Sequence, residues 1–453
     1  MKKLFWTILF LSAWTFADCV VKEVVLEGFD ENSEKKIMEF VGKKCADFER
    51  QSKYWIDALS ENGFPFASVS EQLDSLGSAT VRLSRGNAWV WADAENAEDS
   101  KTQKQTFARL SGLESGTPVR LSDLERAKRK LVNSGYFEST KEPKLFRDSV
   151  RNRIVPVFFM RDLSINSFEG LLSYASGDDG GWTGNLNLSL YNMRGTGRDL
   201  TVSGETGDWE RSVSAAYKEP WLFDTGWNGI VRGSFEEDST YRNALFEAGV
   251  SRSVGFYFEF AVLGGIGNDR WTYTLETNFK DENRMFLPSH GKFLSGTFRV
   301  IKDRSDSSHS FTTDLHANGR FYTPLTQTIV LQTSFFVGTL LPTGRDFDRS
   351  ELFSLGGMEN LKGYRPGFFR TRAYGITEMD LQWRAIEKTA FHVFFEPSLR
   401  RTQLPEHGWA DSYSYGLGIS QYRGYWSFSL FYALHRGTDP LDGLLHFGVK
   451  ALF

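Results

Sequence analysis

The chain has 453 residues, of which 24% are charged and 15% are aromatic, and its formal net charge is −4. This near-neutral balance gives no support for nucleic-acid binding. Beyond the first 17 residues there is no run of about 18 apolar residues, which excludes a transmembrane helix. The aromatic content is high enough to suggest the interfacial girdles of a membrane β-barrel.

The N-terminus has the pattern of a secretory signal. Met1-Lys2-Lys3 is followed by an apolar run from Leu4 to Trp14, and a small residue, Ala17, stands at the expected cleavage point. The apolar run is too short to anchor the chain in a membrane. Residues 1–17 are therefore predicted to be a signal peptide that is removed on export.

Two α/β repeats follow, predicted as domains over residues 18–86 and 87–163. Each repeat reads as strand, helix, helix, strand, strand, and two copies of one order indicate a tandem repeat. The predicted elements of the first repeat are 19–26, 33–41, 51–62, 67–72 and 79–83, and those of the second are 88–92, 101–110, 121–134, 138–143 and 154–160.

Cys19 and Cys45 both fall in the first repeat, and the chain has no other cysteine. Export would permit a disulfide between them, which would close a loop of about 27 residues and contribute about 3 kcal/mol. The alternative is two unpaired thiols. The shared small domain favours the disulfide.

Residues 164–453 alternate between apolar and polar side chains. In the last run, Leu445 to Phe453, the odd positions are apolar, and the even positions up to 450 are His446, Gly448 and Lys450. A soluble sandwich gives the same period, but the signal peptide, the aromatic content and the strand number favour an all-β transmembrane barrel. The alternating segments number 11 before residue 340 and five after residue 372, so we predict about 16 antiparallel strands. An even number is expected of a closed bacterial barrel.

The interruption, residues 340–372, is a 33-residue loop predicted to lack regular structure. Such loops are uncommon unless they are functional. Its central run contains Gly356, Gly357, Lys362, Gly363 and Tyr364, and the glycines permit close backbone approach. A cation at the loop tip could dock on a carboxylate inside the barrel. From loop length alone, an exposed extracellular loop with a solvated lysine is the alternative.

Several runs, in this order along the chain, resemble the BamA/TamA superfamily of outer-membrane assembly and secretion proteins. The runs are Ser134-Gly135-Tyr136-Phe137, Asn192 to Gly197, Tyr217 to Trp221, Phe286 to Gly291, and Gly356-Gly357 to Leu361-Lys362-Gly363-Tyr364. The resemblance covers essentially the whole mature chain. It implies that the two repeats are polypeptide-transport-associated (POTRA) domains, and that loop 340–372 is a lid folded into the barrel lumen.

The resemblance also implies a partner for the lid. Phe394-Phe395-Glu396 is similar to the family segment that supplies a lumenal carboxylate, so Lys362 would pair with Glu396. The family more often has Arg and Asp at these places, and Arg365 or Arg370 could substitute for Lys362. A further departure is Gln382, where the family more often carries Glu.

The last strand resembles the β-signal that barrel-assembly machinery reads. His446, Gly448, Ala451 and Phe453 occupy the polar, glycine, apolar and terminal aromatic places of that signal. A plain alternating terminal strand explains the same pattern. Gly443 and Gly448 also weaken the strand, so we expect few hydrogen bonds at the seam between the first and last barrel strands.

The implied function is that of an assembly factor that inserts β-barrel proteins by strand templating and lateral seam opening. A two-partner secretion pore is an alternative, although such pores carry a plug helix before the POTRA domains, whereas the first strand here is expected at Cys19, directly after the signal. A passive porin or structural barrel is another alternative, which would not need the two N-terminal repeats.

The expected location is the outer membrane of a Gram-negative-type bacterium, with the POTRA domains in the periplasm. The expected partners are unfolded outer-membrane or secreted polypeptides, outer-membrane lipid and a periplasmic accessory protein, and no nucleic acid. No hydrolase, zinc-protease or phosphate-loop motif is present, and the seven histidines are scattered. We therefore predict a non-enzymatic protein without metal or cofactor.

Overall fold

The computed structural model describes residues 19–452 except 75–76, 175–181, 207–209, 239–240, 269, 285, 304–310, 343–345, 350, 359, 366, 385, 387 and 404–407. The predicted signal peptide and Phe453 lie outside the described residues. The chain divides into two compact units. One comprises residues up to 95 with 113–126 and 143–157, and the other comprises 96–112, 127–142 and 158–453.

The first repeat is built as predicted, as strand, helix, helix, strand, strand. Its elements are β1 Val20–Glu27, α1 Glu31–Met38, α2 Cys45–Ser60, β2 Ser68–Leu73 and β3 Ser78–Ser84. The sheet order is β1-β3-β2, with β1 parallel and β2 antiparallel to β3. Val21, Phe48, Val81 and Leu83 are completely buried in the core between sheet and helices. A disulfide joins Cys19 to Cys45, at the start of α2.

The second repeat follows the same order, except that its predicted first strand, 88–92, is reduced to two residues and a further two-residue strand follows it. Its elements are β4 Val90–Trp91, β5 Glu95–Asn96, α3 Lys104–Ser111, α4 Leu121–Asn133, β6 Phe137–Asp148 and β7 Arg153–Asp162. On α4, Ala127 and Leu131 are completely buried, as the apolar face of the helix predicts. The limits 18–86 and 87–163 stay a prediction, because the two compact units divide the second repeat between them.

Sixteen strands close into an antiparallel barrel, which confirms the predicted fold class and the arrangement of 11 strands, a lid and five strands. The strands before the lid are β8 Ser167–Tyr174, β9 Trp182–Met193, β10 Arg198–Thr206, β11 Glu210–Glu219, β12 Trp227–Asp238, β13 Arg242–Val254, β14 Phe258–Gly267, β15 Arg270–Glu282, β16 Gly291–Asp303, β17 Phe311–Pro324 and β18 Ile329–Leu341. The strands after the lid hairpin (β19 and β20, below) are β21 Ala373–Trp383, β22 Thr389–Arg401, β23 Trp409–Tyr422, β24 Trp426–His435 and β25 Leu444–Leu452.

The two faces of the barrel wall differ as a membrane barrel requires. Along β21, the inward side chains Glu378, Asp380 and Gln382 are buried, while Met379 and Leu381 are about two-fifths exposed on the outer face. Arg232 on β12 and Glu276 on β15 form an ion pair on the inner face. An apolar exterior around a polar interior is the pattern of a transmembrane barrel, with the outer face toward lipid.

The lid contains regular structure, contrary to the prediction for 340–372. Two three-residue strands, β19 Phe353–Leu355 and β20 Phe369–Thr371, form an antiparallel hairpin. Leu355, Leu361 and Tyr364 are buried with Ile376 of the barrel wall in one apolar cluster. This burial supplies the packing that a long irregular loop lacks, and it fixes the tip of the lid inside the barrel.

No helix of the described residues is long and apolar enough to span a membrane.

Candidate functional site: the lid tip and the closing seam

The tip of the lid carries a buried lysine between two carboxylates. The Nζ atom of Lys362 donates to Oε1 of Glu378 on β21 at 2.7 Å and to Oε1 of Glu396 on β22 at 2.6 Å. The backbone N–H of Lys362 donates to Oε2 of Glu396 at 2.7 Å. The exposed fractions are 6% for Lys362, 8% for Glu378 and 1% for Glu396. The structure thus brings Lys362 and Glu396 together inside the barrel.

The surroundings of this lysine compensate a buried charge. Ser414 on β23 donates its hydroxyl to Glu396, and the ring of Phe394 lies 5.0 Å from Nζ of Lys362. A buried cation stays stable only when carboxylates and further hydrogen bonds replace its hydration. One ammonium group here faces two carboxyl groups, so the docked lid brings a cation that β21 and β22 share.

Glycines allow the lid to reach the wall. A Cβ atom on Gly363 would stand 2.5 Å from the carbonyl oxygen of Leu434 on β24 and 2.8 Å from Cβ of Ser414. At Gly356, where φ is +117°, a Cβ atom would stand 2.2 Å from the carbonyl oxygen of Arg365. Gly357, with φ of +94°, donates its N–H to the carbonyl oxygen of Tyr364 at 2.9 Å. The glycines of the predicted run thus occupy positions that other residues would fill only with strain.

Tyr364 adds an aromatic contact to the same wall. Its ring stacks on His435 of β24, with the ring centroids 4.5 Å apart and the planes at 16°. The next lid residue, Arg365, is exposed, and it is Lys362 that lies at Glu396 among the described residues.

The last barrel strand also contacts the lid. Nε2 of His446 on β25 lies 2.6 Å from the carbonyl oxygen of Lys362. A carbonyl only accepts, so His446 donates through its Nε2–H. Gly448, the next inward residue on β25, lies near the lid residue Met358, whose Cε would be 3.9 Å from a Cβ atom there. The predicted β-signal residues His446 and Gly448 thus both face the lid, whereas Phe453 lies outside the described residues.

The seam between β25 and β8 is short. Within the described residues, these strands pair at two register positions, Ala451 with Phe168 and Leu452 with Ser167. Every other neighbouring pair of barrel strands has eight to thirteen register positions in the same described set. Among the described residues, the seam therefore has few paired positions, as expected.

Sequence reasoning missed Glu378, the second carboxylate at Lys362. The family pattern predicts an anion at position 382, but the carboxyl group that meets the lid lies four residues earlier on the same inward face. The period-two pattern of β21, with Glu378, Asp380 and Gln382 on one face, was the signal that could have revealed it.

A second polar network on the inner wall was also missed. Nδ1 of His392 lies 2.8 Å from Oδ2 of Asp380, and Nε2 lies 2.7 Å from the hydroxyl of Ser420. Gln382 donates to the same Asp380 oxygen at 2.7 Å. These contacts tie β21, β22 and β23 together beside the lid site. No cluster of described residues is arranged to hold a metal ion.

A closed sixteen-stranded barrel with an apolar exterior, a lid docked in its lumen and N-terminal α/β repeats defines an outer-membrane β-barrel protein. Residues 262–419 match the model of the Omp85 superfamily domain. The match runs from β14 to β23, and it supports the resemblance drawn from the motifs for this part of the barrel. An Omp85 superfamily barrel implies an outer-membrane location.

Two solved structures of low sequence identity, both of CdiB, share the fold. CdiB from Escherichia coli is 14% identical, with a TM-score of 0.64, over 99% of this chain and 93% of that chain. CdiB from Acinetobacter baumannii is 13% identical, with a TM-score of 0.58, over 96% and 90%. BamA from Haemophilus ducreyi lacking POTRA domains 1–3 is 14% identical, with a TM-score of 0.49, over 96% and 100%. None of the curated protein sequences compared matches this chain.

Proposed function

We propose that this protein is an outer-membrane assembly factor that inserts β-barrel polypeptides by offering strand edges at its seam. The observation that carries the proposal is the two-position pairing of β25 with β8. β25 has nine residues and β8 has eight, so seven and six of them, respectively, have no register partner across the seam among the described residues. Their backbone groups form an edge that an incoming strand can complete.

The membrane gives this strand edge a role in insertion. Backbone N–H and C=O groups in hydrocarbon must be hydrogen-bonded within the protein, and each unsatisfied group costs several kcal/mol. A client strand that pairs with the seam exchanges its hydrogen bonds with water for hydrogen bonds with β8 or β25. The barrier to insertion falls because the edge supplies those bonds before the client has closed on itself.

The N-terminal repeats would hold clients before insertion. In this proposal they are POTRA domains in the periplasm, and β2, an edge strand of the first sheet, accepts an unfolded polypeptide by β-augmentation. The partners are then unfolded outer-membrane polypeptides, lipid and a periplasmic accessory protein, and no covalent chemistry is required.

A seam lock tests the proposal. Phe168 and Ala451 are register partners, so the double variant Phe168→Cys/Ala451→Cys places two thiols across the seam. Oxidised protein in lipid vesicles should fold normally but lose insertion of a model barrel client, and reductant should restore it. The two single-cysteine variants are the controls. They keep the Cys19–Cys45 disulfide, so they report any effect of the reductant on that bond.

A two-partner-type secretion pore is the second candidate, and the lid favours it as a plug that must leave before a polypeptide enters the lumen. In that case the locked barrel would remain active in transport, because the path runs through the lumen and not through the wall. Full insertion activity in the locked form would refute lateral opening.

A further inference from the structure

The lid tip touches each of the five strands that follow it. Lys362 is bound by Glu378 on β21 and Glu396 on β22, and Gly363 lies against Ser414 on β23 and Leu434 on β24. The hydrogen bond from His446 extends this series to β25, the closing strand. The lid tip therefore contacts the inner surface of the C-terminal wall, which is formed by β21 to β25. The last of these strands, β25, borders the seam.

This contact adds a further attachment to the closing strand, β25. In the part of the chain that the structure describes, β25 is held by eight register positions to β24 and by two to β8. The bond from His446 to the lid is an attachment of a different kind, because it comes from the lumen and not from a neighbouring strand. It is also anchored, since the accepting carbonyl belongs to Lys362, the residue that the two buried carboxylates fix.

We propose that His446 is a positioning residue that latches the closing strand to the docked lid. Docking of the lid then keeps β25 with the C-terminal wall, so that the seam opens by departure of β8. Undocking of the lid releases β25 as well. The latch gives the lid a role at the seam that the ion pair of Lys362 alone does not explain. This proposal rests on the proposed function only in treating the seam as the site of opening.

Hydrogen–deuterium exchange read by mass spectrometry tests the latch without any client. The measured quantity is the exchange rate of the backbone amides of β25 in the full-length protein in vesicles. His446→Leu removes the donor and should speed that exchange about fivefold, which corresponds to about 1 kcal/mol for one hydrogen bond. His446→Gln keeps an N–H donor at similar reach and should remain within about twofold of the wild type.

Two further variants separate the latch from general loosening. Lys450→Leu changes an inward residue of the same strand that has no hydrogen bond to the lid among the described residues, and it should leave the exchange of residues 444–447 unchanged. Gly363→Val displaces the lid tip, because the space for a side chain is occupied by backbone and Ser414. It should speed exchange in β25 as His446→Leu does, and the double variant should add nothing further.

Three results would overturn the latch: wild-type exchange in His446→Leu, equal exchange in the Leu and Gln variants, or unchanged β25 exchange in Gly363→Val. If His446→Leu fails to fold, His446→Asn, whose donor is too short to reach the lid, is compared with His446→Gln by the same criteria. Failure of insertion in the wild type, with these exchange results intact, would refute the proposed function and leave the latch standing.

Discussion

Replacement of Lys362 by Met should undock the lid. Met keeps an unbranched side chain as far as Cε but removes the ammonium group that lies 2.7 Å from Glu378 and 2.6 Å from Glu396. Two buried carboxylates would then face one another without a cation. Removal of one partner from a buried ion pair costs about 3–5 kcal/mol, which is a large part of the stability of a docked loop.

The assay has two readouts. Single-channel conductance in planar bilayers should rise, because a displaced lid opens the lumen, and the urea midpoint of barrel unfolding should fall. The matched control is Lys292→Met, which removes the charge of an exposed lysine and should change the free energy of unfolding by about 0.5 kcal/mol or less. Wild-type conductance and stability in Lys362→Met would refute the role of the ion pair.

A charge exchange sharpens the same test. Glu396→Lys should impair function strongly, because it places two cations at one carboxylate. Adding Lys362→Glu should restore function only in part, since the new glutamate would lie beside Glu378. Complete restoration would show that Glu378 contributes nothing to lid docking.

The remaining predictions concern the lid backbone and the first repeat. Gly363→Ala should destabilise the docked lid by about 1–3 kcal/mol, seen as faster proteolysis of the loop, and equal cleavage rates would contradict the close approach. Replacing both Cys19 and Cys45 by Ala should cost about 3 kcal/mol in urea unfolding of the N-terminal repeat followed by tryptophan fluorescence, and an unchanged midpoint would refute it. The hydrogen bond from Ser33 lowers the pKa of the Asp30 carboxyl, so its contribution to α1 is present above the ordinary pKa and lost as pH falls through the lowered one. Asp30→Asn should flatten that acid limb in circular dichroism, and an unaltered limb would argue against the cap. Proline at β2 positions whose N–H points away from β3 should weaken client crosslinking without unfolding the sheet, and unchanged capture would make the repeats spacers.

The sequence predicted the barrel well because period-two alternation is a local property. Each strand carries its own pattern, so the 11-plus-5 arrangement could be counted without knowing which strand pairs with which. Lys362 and Glu396 could be named because both lie in runs that resemble the family. The hairpin of β19 and β20 could not, since three-residue strands are too short for a periodic signal and depend on burial of Leu355 and Tyr364.

The contacts that were missed all depend on long-range register. Glu378 meets Lys362 only because β21 and β22 pair so that their inward carboxylates converge at one height of the wall. His446 reaches the lid only because β25 closes the barrel beside β24. A one-residue slip in either strand would turn these side chains outward, and no local pattern reports such a slip.

The second carboxylate gives a physical reason for the lysine at the lid tip. A guanidinium group is planar and binds one carboxylate through two parallel hydrogen bonds, as suits an Arg–Asp pair. An ammonium group is a compact charge with three donors. Nζ of Lys362 donates to Glu378 on β21 and to Glu396 on β22. Glutamate is one methylene longer than aspartate, and the carboxyl groups of Glu378 and Glu396 both reach Nζ of Lys362. Lysine at the lid tip and glutamates on both strands therefore act together to dock the lid. The ammonium group of Lys362 links β21 to β22, and the backbone carbonyl of Lys362 accepts the hydrogen bond from His446.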